Sequence, residues 1–132
     1  QAPDKDAAKE RRHLIADHVL EAVRHGDFRK EVYEACRRQE MLKKASAVIA
    51  LSAIYQRTTE KYGERGYRYI YVEAGHISQN LYLEATSLGL GSVSIGAFSD
   101  DHVNEAFGVD GEREGIVYLQ AVGKIPENKA QR

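Results

Sequence analysis

The sequence has little that would tie it to a special environment. Cys36 is its only cysteine, so no disulfide can form within the chain. That usage fits a reducing, cytoplasmic setting. No apolar run approaches the roughly 20 residues that a bilayer-spanning helix needs, and the start of the chain lacks the hydrophobic core of a signal peptide. These features argue against a membrane location. Lys and Arg total 19 against 20 Asp and Glu, a net charge of -1, so the broad basic footprint of a nucleic-acid binder is missing. There is no internal repeat, no G-x-S-x-G, no H-E-x-x-H and no phosphate-loop lysine motif. Conventional side-chain catalysis therefore has no visible seat.

What is present is organised around the stretch from Tyr67 to Phe98. Ile70, Ala74, Ile77, Leu81, Ala85 and Leu88 recur at helical spacing. The spacing predicts a long helix over Tyr67–Leu88, with Gly89 as the left-handed residue that closes its last turn. Ser92, Val93, Ser94 and Ile95 alternate polar and apolar, as a half-buried strand does. Gly75 falls inside the helix, where glycine costs roughly 1 kcal/mol relative to alanine. That cost points to a close backbone approach with Ala74, Gly75 and Ser78. The approach is either tight packing against another helix of the same chain, or a subunit interface or cofactor edge.

The flanking segments supply the remaining elements. A first helix is expected from near Ala7 to His25-Gly26, and a second from Phe28 to about Ala45, capped by Asp27 and with a possible break near Gln39. Cys36 reads as a small buried hydrophobe. The run Ala45 to Ile54 is short, apolar and β-branched in its middle, and predicts a central strand covered on both faces. Tyr55 to Gly66 reads as a connection with room for one helical turn, and Tyr62-Gly63 and Arg65-Gly66 are turn signals. Ser99 is placed to cap a short helix with Val103, Ala106 and Phe107 inward and Gly108 as its stop. Gly115 to Val122 predicts another strand. With 132 residues this amounts to one domain, residues 1–132, of the α+β or α/β layered kind with a small sheet.

Candidate chemistry narrows by elimination. His18 and His25 share a helix face but are too few ligands for zinc, so no metal site is expected. Gly89-Leu90-Gly91 follows a helix and enters a strand, the reverse of the order that a pyrophosphate-binding turn requires. Gly96 and Ala97 remain, at a strand exit just before a helix. Backbone N–H groups there can face a ligand with no side chain between. A cofactor that carries its own redox chemistry needs only such positioning groups.

Lys61-Tyr62-Gly63, Arg65-Gly66-Tyr67-Arg68-Tyr69, Glu73-Ala74-Gly75-His76-Ile77, Gln79-Asn80-Leu81 and Leu88-Gly89-Leu90-Gly91 resemble the nitroreductase superfamily. Gly26-Asp27-Phe28-Arg29, Gly96-Ala97-Phe98-Ser99-Asp100-Asp101 and Val122-Gly123-Lys124 are similar to its SagB-type dehydrogenase branch. The resemblance implies an α+β fold with a small mixed sheet flanked by helices and a long central helix. It also implies a homodimer and FMN at the subunit interface, beside the backbone of Ile95, Gly96 and Ala97. Hydride would pass between NAD(P)H, or a small-molecule or peptide substrate, and the flavin. Arg11-Arg12-His13-Leu14-Ile15 departs from the family's Arg-Arg-Ser-x-Arg phosphate-holding segment, so the chain resembles the C-terminal part of the family domain. Lys124, Lys129 and Arg132 are the cations that could take the segment's place. The departure admits a second reading, a shortened domain without catalysis that serves dimerisation or ligand binding.

Overall fold

The structure is a computed structural model that describes residues 26–126. The expected first helix, with Arg11, Arg12 and His18, lies outside the described residues, as do Lys129 and Arg132. The elements in order are α1 (Arg29–Ala35), α2 (Met41–Lys44), β1 (Ala47–Ile54), α3 (Gln56–Tyr62), α4 (Arg65–Ser87), β2 (Leu90–Ile95), α5 (Asp100–Phe107) and β3 (Glu114–Lys124). This is the expected α+β arrangement.

The sheet runs β1-β3-β2, and both pairings are antiparallel, where a mixed sheet was anticipated. β1 is an edge strand and not the central one; β3 takes the centre. An apolar run fixes burial, not position in a sheet, and the run in β1 is only half-buried along most of its length. β3 has partners on both sides and buries Ile116, Leu119 and Ala121. Leu51 pairs with Tyr118 but Ser52 with Ile116, so Val117 is the extra residue of a bulge.

The main core lies between one sheet face and α1, α2 and α5. Leu42, Ile95, Val103 and Leu119 are at most 2% exposed there, and each such side chain contributes about 1.5–3 kcal/mol by burial. The anticipated Phe28–Ala45 helix divides into α1 and α2. Arg37 and Arg38 sit between them at φ 55° and 58°, a left-handed conformation that a helix cannot continue through. Asp27 acts as expected but one residue early: its Oδ1 accepts the Arg29 N–H at 3.1 Å, and Phe28 holds the formal cap position. The Arg29 guanidinium beside Asp27 holds that carboxyl at about 2.

The opposite sheet face carries α4. Its buried line is Gly66, Ile70, Ala74, Ser78 and Ala85. Ile77 and Leu88, expected on that line, are 41% and 65% exposed. The exchange has a polar cause. Ser78 Oγ donates to Gln120 Oε1 at 2.8 Å, and Gln120 Nε2 donates to Ser92 Oγ at 3.0 Å. With a hydrogen-bond partner in β3, a serine can occupy a core position that periodicity assigned to its apolar neighbour. The Tyr55–Gly66 connection holds more helix than the one turn expected, because it contains α3 and the first two residues of α4. Gly63, at φ 58°, stops α3, while Gly66 lies inside α4, where its missing side chain lets the helix lie on the Thr58–Thr59 backbone.

Candidate functional site

The strand exit is built from β2 onward. Gly89, at φ 69°, turns the chain out of α4 as anticipated, and β2 runs back along β3. Tyr82 of α4 braces the strand near its end: its hydroxyl accepts the Ser94 N–H at 2.7 Å and lies 3.0 Å from Ser94 Oγ. Ile95 then pairs with Leu119 and buries its side chain to 1% exposure.

The three residues singled out from the sequence are thereby divided. Ile95 faces the core, and only its backbone belongs to the strand exit. Gly96 and Ala97 are exposed. A Cβ placed on Gly96 would sit 3.5 Å from Tyr118 Cε2, so an aromatic ring lies directly beside the bare backbone. The Ala97 carbonyl accepts a hydrogen bond from Gln39 Nε2 at 2.9 Å, and the same nitrogen donates to the Cys36 carbonyl at 3.0 Å. Two residues on, the Ser99 N–H donates to the Ala35 carbonyl at 2.9 Å. The ledge is thus fixed at both ends and open in between. Among the described residues, no backbone hydrogen bond from the Gly96 or Ala97 amide is seen.

α5 starts directly after the ledge. Ser99 stands at its N-cap in an extended conformation, but its hydroxyl makes no capping bond; its backbone carbonyl accepts from Val103 N–H at 2.9 Å. Asp100 and Asp101 occupy the first turn, and Gly108 closes the helix at φ 70°. Asn104, on the inner side of α5, accepts the Ile116 N–H at 2.8 Å through Oδ1 and ties α5 to β3.

Tyr55 closes the far side of this end of the sheet. Its ring stands 5.6 Å from that of Tyr67 and lies over Gly115, where a side chain would collide with it. Burial first, then the neighbouring Tyr71 and Asp100, push its hydroxyl pKa up. Cys36 is fully buried, and that burial raises its thiol pKa, which matches the reading of a packing residue. No cluster of three or more metal-ligating side chains occurs among the described residues, and none of their helices is long and apolar enough to cross a membrane.

Ile95, Gly96 and Ala97 line none of three clefts that open among the described residues. One of about 360 Å³ lies under Phe28, Val32 and Phe107; one of about 400 Å³ lies by Met41, Gly91 and Gly123; and one of about 640 Å³ lies between α1 and α5. Lys124 borders the second, paired with Leu90 at the opposite end of β2 from Ile95. Five strand steps of about 3.3 Å separate it from the ledge, roughly 17 Å in all. Gln39, Tyr82 and Tyr118 are the residues that sequence reasoning missed at this site. Gln39 meets Ala97 across 58 positions of chain, so no local spacing could have announced it.

Comparison with known proteins agrees with this architecture. The nitroreductase family model matches residues 5–124. A Methanocaldococcus jannaschii protein assigned to the nitroreductases is 42% identical over 113 residues, covering 86% of this chain and 53% of the relative. The chain therefore spans about half the length of the curated relative that it matches. A nitroreductase-type structure from Anabaena variabilis is 38% identical, with a TM-score of 0.73, over 79% of this chain and 21% of that one. The NADPH:FMN oxidoreductase of Vibrio harveyi, solved with NAD+, is 26% identical, with a TM-score of 0.65, over 80% of this chain and 50% of that one. With a family match over most of its length and a relative this similar, the chain belongs to the nitroreductase family.

Proposed function

We propose that this chain is an FMN-dependent oxidoreductase of the nitroreductase type that works as a homodimer, its closest affinity being with the SagB-type dehydrogenases. The observation that carries the reading is the open backbone at Gly96 and Ala97, held from both sides and bordered by the Tyr118 ring. Such a surface fits the edge of a planar ring that has hydrogen-bond acceptors: the backbone supplies donors, and no side chain intervenes. FMN, when bound, supplies hydride chemistry at its ring, exchanging with NAD(P)H or with a small-molecule or peptide substrate. The protein's own part is to hold and orient. Ile95 roots the ledge in the core, and Gln39 and Ser99 fix its far side. Tyr55, half-buried, adds a phenol ring at the same end of the sheet.

The dimer reading rests on the outer side of α4. Val72, Gly75, Gln79 and Leu83 recur there at steps of three, four and four, one helical stripe. Val72 is 52% and Leu83 61% exposed, and no other described residue reaches within 4 Å of where a Gly75 side chain would be. A stripe with apolar ends at Val72 and Leu83 and a bare backbone at Gly75 is suited to close contact with a second helix.

The test is uptake and reduction of FMN by the purified chain. The reading expects flavin absorbance to co-elute with protein in a dimer-sized peak, and to bleach when NADH or NADPH is added without oxygen. A protein that stays colourless with FMN, and leaves added FMN oxidised, overturns the enzyme reading and favours a shortened domain used for dimerisation or ligand binding.

A further inference from the structure

We propose that Gln39 is a positioning residue for the ledge, setting which backbone groups Gly96–Phe98 present to a ligand. The inference rests on the flavin reading for its ligand, and on the side-chain geometry alone for the clamp.

Gln39 Nε2 has two hydrogens and two acceptors, the Cys36 carbonyl at 3.0 Å and the Ala97 carbonyl at 2.9 Å. One bond fastens the side chain to its own turn, and the other reaches across to the ledge. The turn has a defined backbone shape. Arg37 and Arg38 both hold left-handed φ values, 55° and 58°, which non-glycine residues adopt only at a cost. The Arg38 N–H donates to the Tyr33 carbonyl at 2.9 Å and the Arg38 guanidinium to Glu34 at 2.7 Å, which hold the turn in that shape. Immediately before the turn, the Ala35 carbonyl receives the Ser99 N–H. Residues 35–39 therefore grip residues 97–99 at two points.

The grip has a directional consequence. No peptide bond among the described residues is cis, and in a planar trans peptide the N–H points opposite to the C=O. With the Ala97 carbonyl turned to Gln39, the Phe98 N–H is turned away from it. Rotating that peptide would carry the Ala97 carbonyl toward the open side, where an acceptor-rich ring edge would meet an oxygen in place of a donor. Gln39 thus opposes a flip of the Ala97–Phe98 peptide, at the end of the ledge nearest α5.

Gln39→Leu keeps the bulk of the side chain and removes both donors, while Gln39→Lys keeps a donor within reach of the two carbonyls. A single net hydrogen bond is typically worth about 0.5–1.5 kcal/mol, so the leucine variant should raise the FMN dissociation constant by about three- to tenfold. The lysine variant should stay near the parent. Independently of flavin, the NMR order parameters of Ala97 and Phe98 should fall from about 0.85, the rigid range, to below about 0.6 in Gln39→Leu, with β3 amides unmoved. Unchanged order parameters at 97–98 in the leucine variant, or equal loss in the lysine variant, would overturn the clamp. A parent chain that takes up no FMN sinks the flavin reading and leaves the order-parameter result to decide the clamp on its own.

Discussion

Helix α4 carries two glycines that face opposite fates. Gly66 is buried. A Cβ there would lie 3.0 Å from the Thr59 Cα, 3.1 Å from the Thr59 nitrogen and 3.2 Å from the Thr58 carbonyl carbon. Gly75 is exposed, and among the described residues no atom beyond the helix's own backbone lies within 4 Å of that position. Both cost the helix the same backbone entropy, and among the described residues only Gly66 gains a close packing contact in return. Of the two readings open for Gly75, tight packing on another helix of the same chain therefore fails among the described residues. Gly66, whose pairing with Arg65 looks like a turn signal, is where that packing occurs. A glycine in a helix marks a close approach without saying whose backbone approaches.

The comparison is broken most directly at Gly66. Because the opposing atoms are backbone, they cannot rotate away, and Gly66→Ala should destabilise by about 1–3 kcal/mol through overpacking. Thermal unfolding would show a clear fall in Tm. An unchanged Tm would mean that α3 yields freely, and that the two glycines are equivalent after all.

A second contrast, between neighbours, sharpens the first. Ser78 is 3% exposed and Ile77 41%. Ser78→Ala leaves the Gln120 Oε1 without its donor inside the protein, which should cost about 1–3 kcal/mol. Ile77→Ala, at concentrations where the chain is monomeric, should change stability by no more than about 0.5 kcal/mol. Urea unfolding of the two variants would check the ranking, and a larger loss for the isoleucine variant would reverse the assignment of the buried face.

These residues also show what could be read from the sequence. The helix length, Gly89 and Gly108 as stops, and the strand that leaves at Ile95 follow from period and from local backbone chemistry, which act over a few residues. The depth of Ser78 was hidden, because its justification, Gln120, lies 42 positions away. β1 was misplaced at the centre of the sheet for a related reason: an apolar run reports that a strand is covered, not which neighbours cover it. At the ledge, small residues after a strand pointed to Gly96 and Ala97, and both are exposed there. Ile95 shares only its backbone with that surface. The Gln39 contact depends on two loops meeting, and nothing in either loop's own sequence names the other.

Gly75 provides the mildest perturbation and the most selective one. In an open helical position, alanine avoids the entropy that glycine loses on folding, so Gly75→Ala should stabilise the isolated chain by up to about 1 kcal/mol. Gly75→Leu should fold equally well, since among the described residues no atom beyond the helix's own backbone lies within 4 Å of the Gly75 Cβ position. A second α4 laid along Val72, Gly75, Gln79 and Leu83 would meet the leucine at the point of nearest backbone approach. The two substitutions then separate what one chain needs from what two chains need. Sedimentation should find Gly75→Leu shifted toward monomer with its dilute-solution Tm intact, and Gly75→Ala affected less. A leucine variant that sediments as the parent dimer would move the contact to another face of the molecule, and Gly75 would then be a cost without a return.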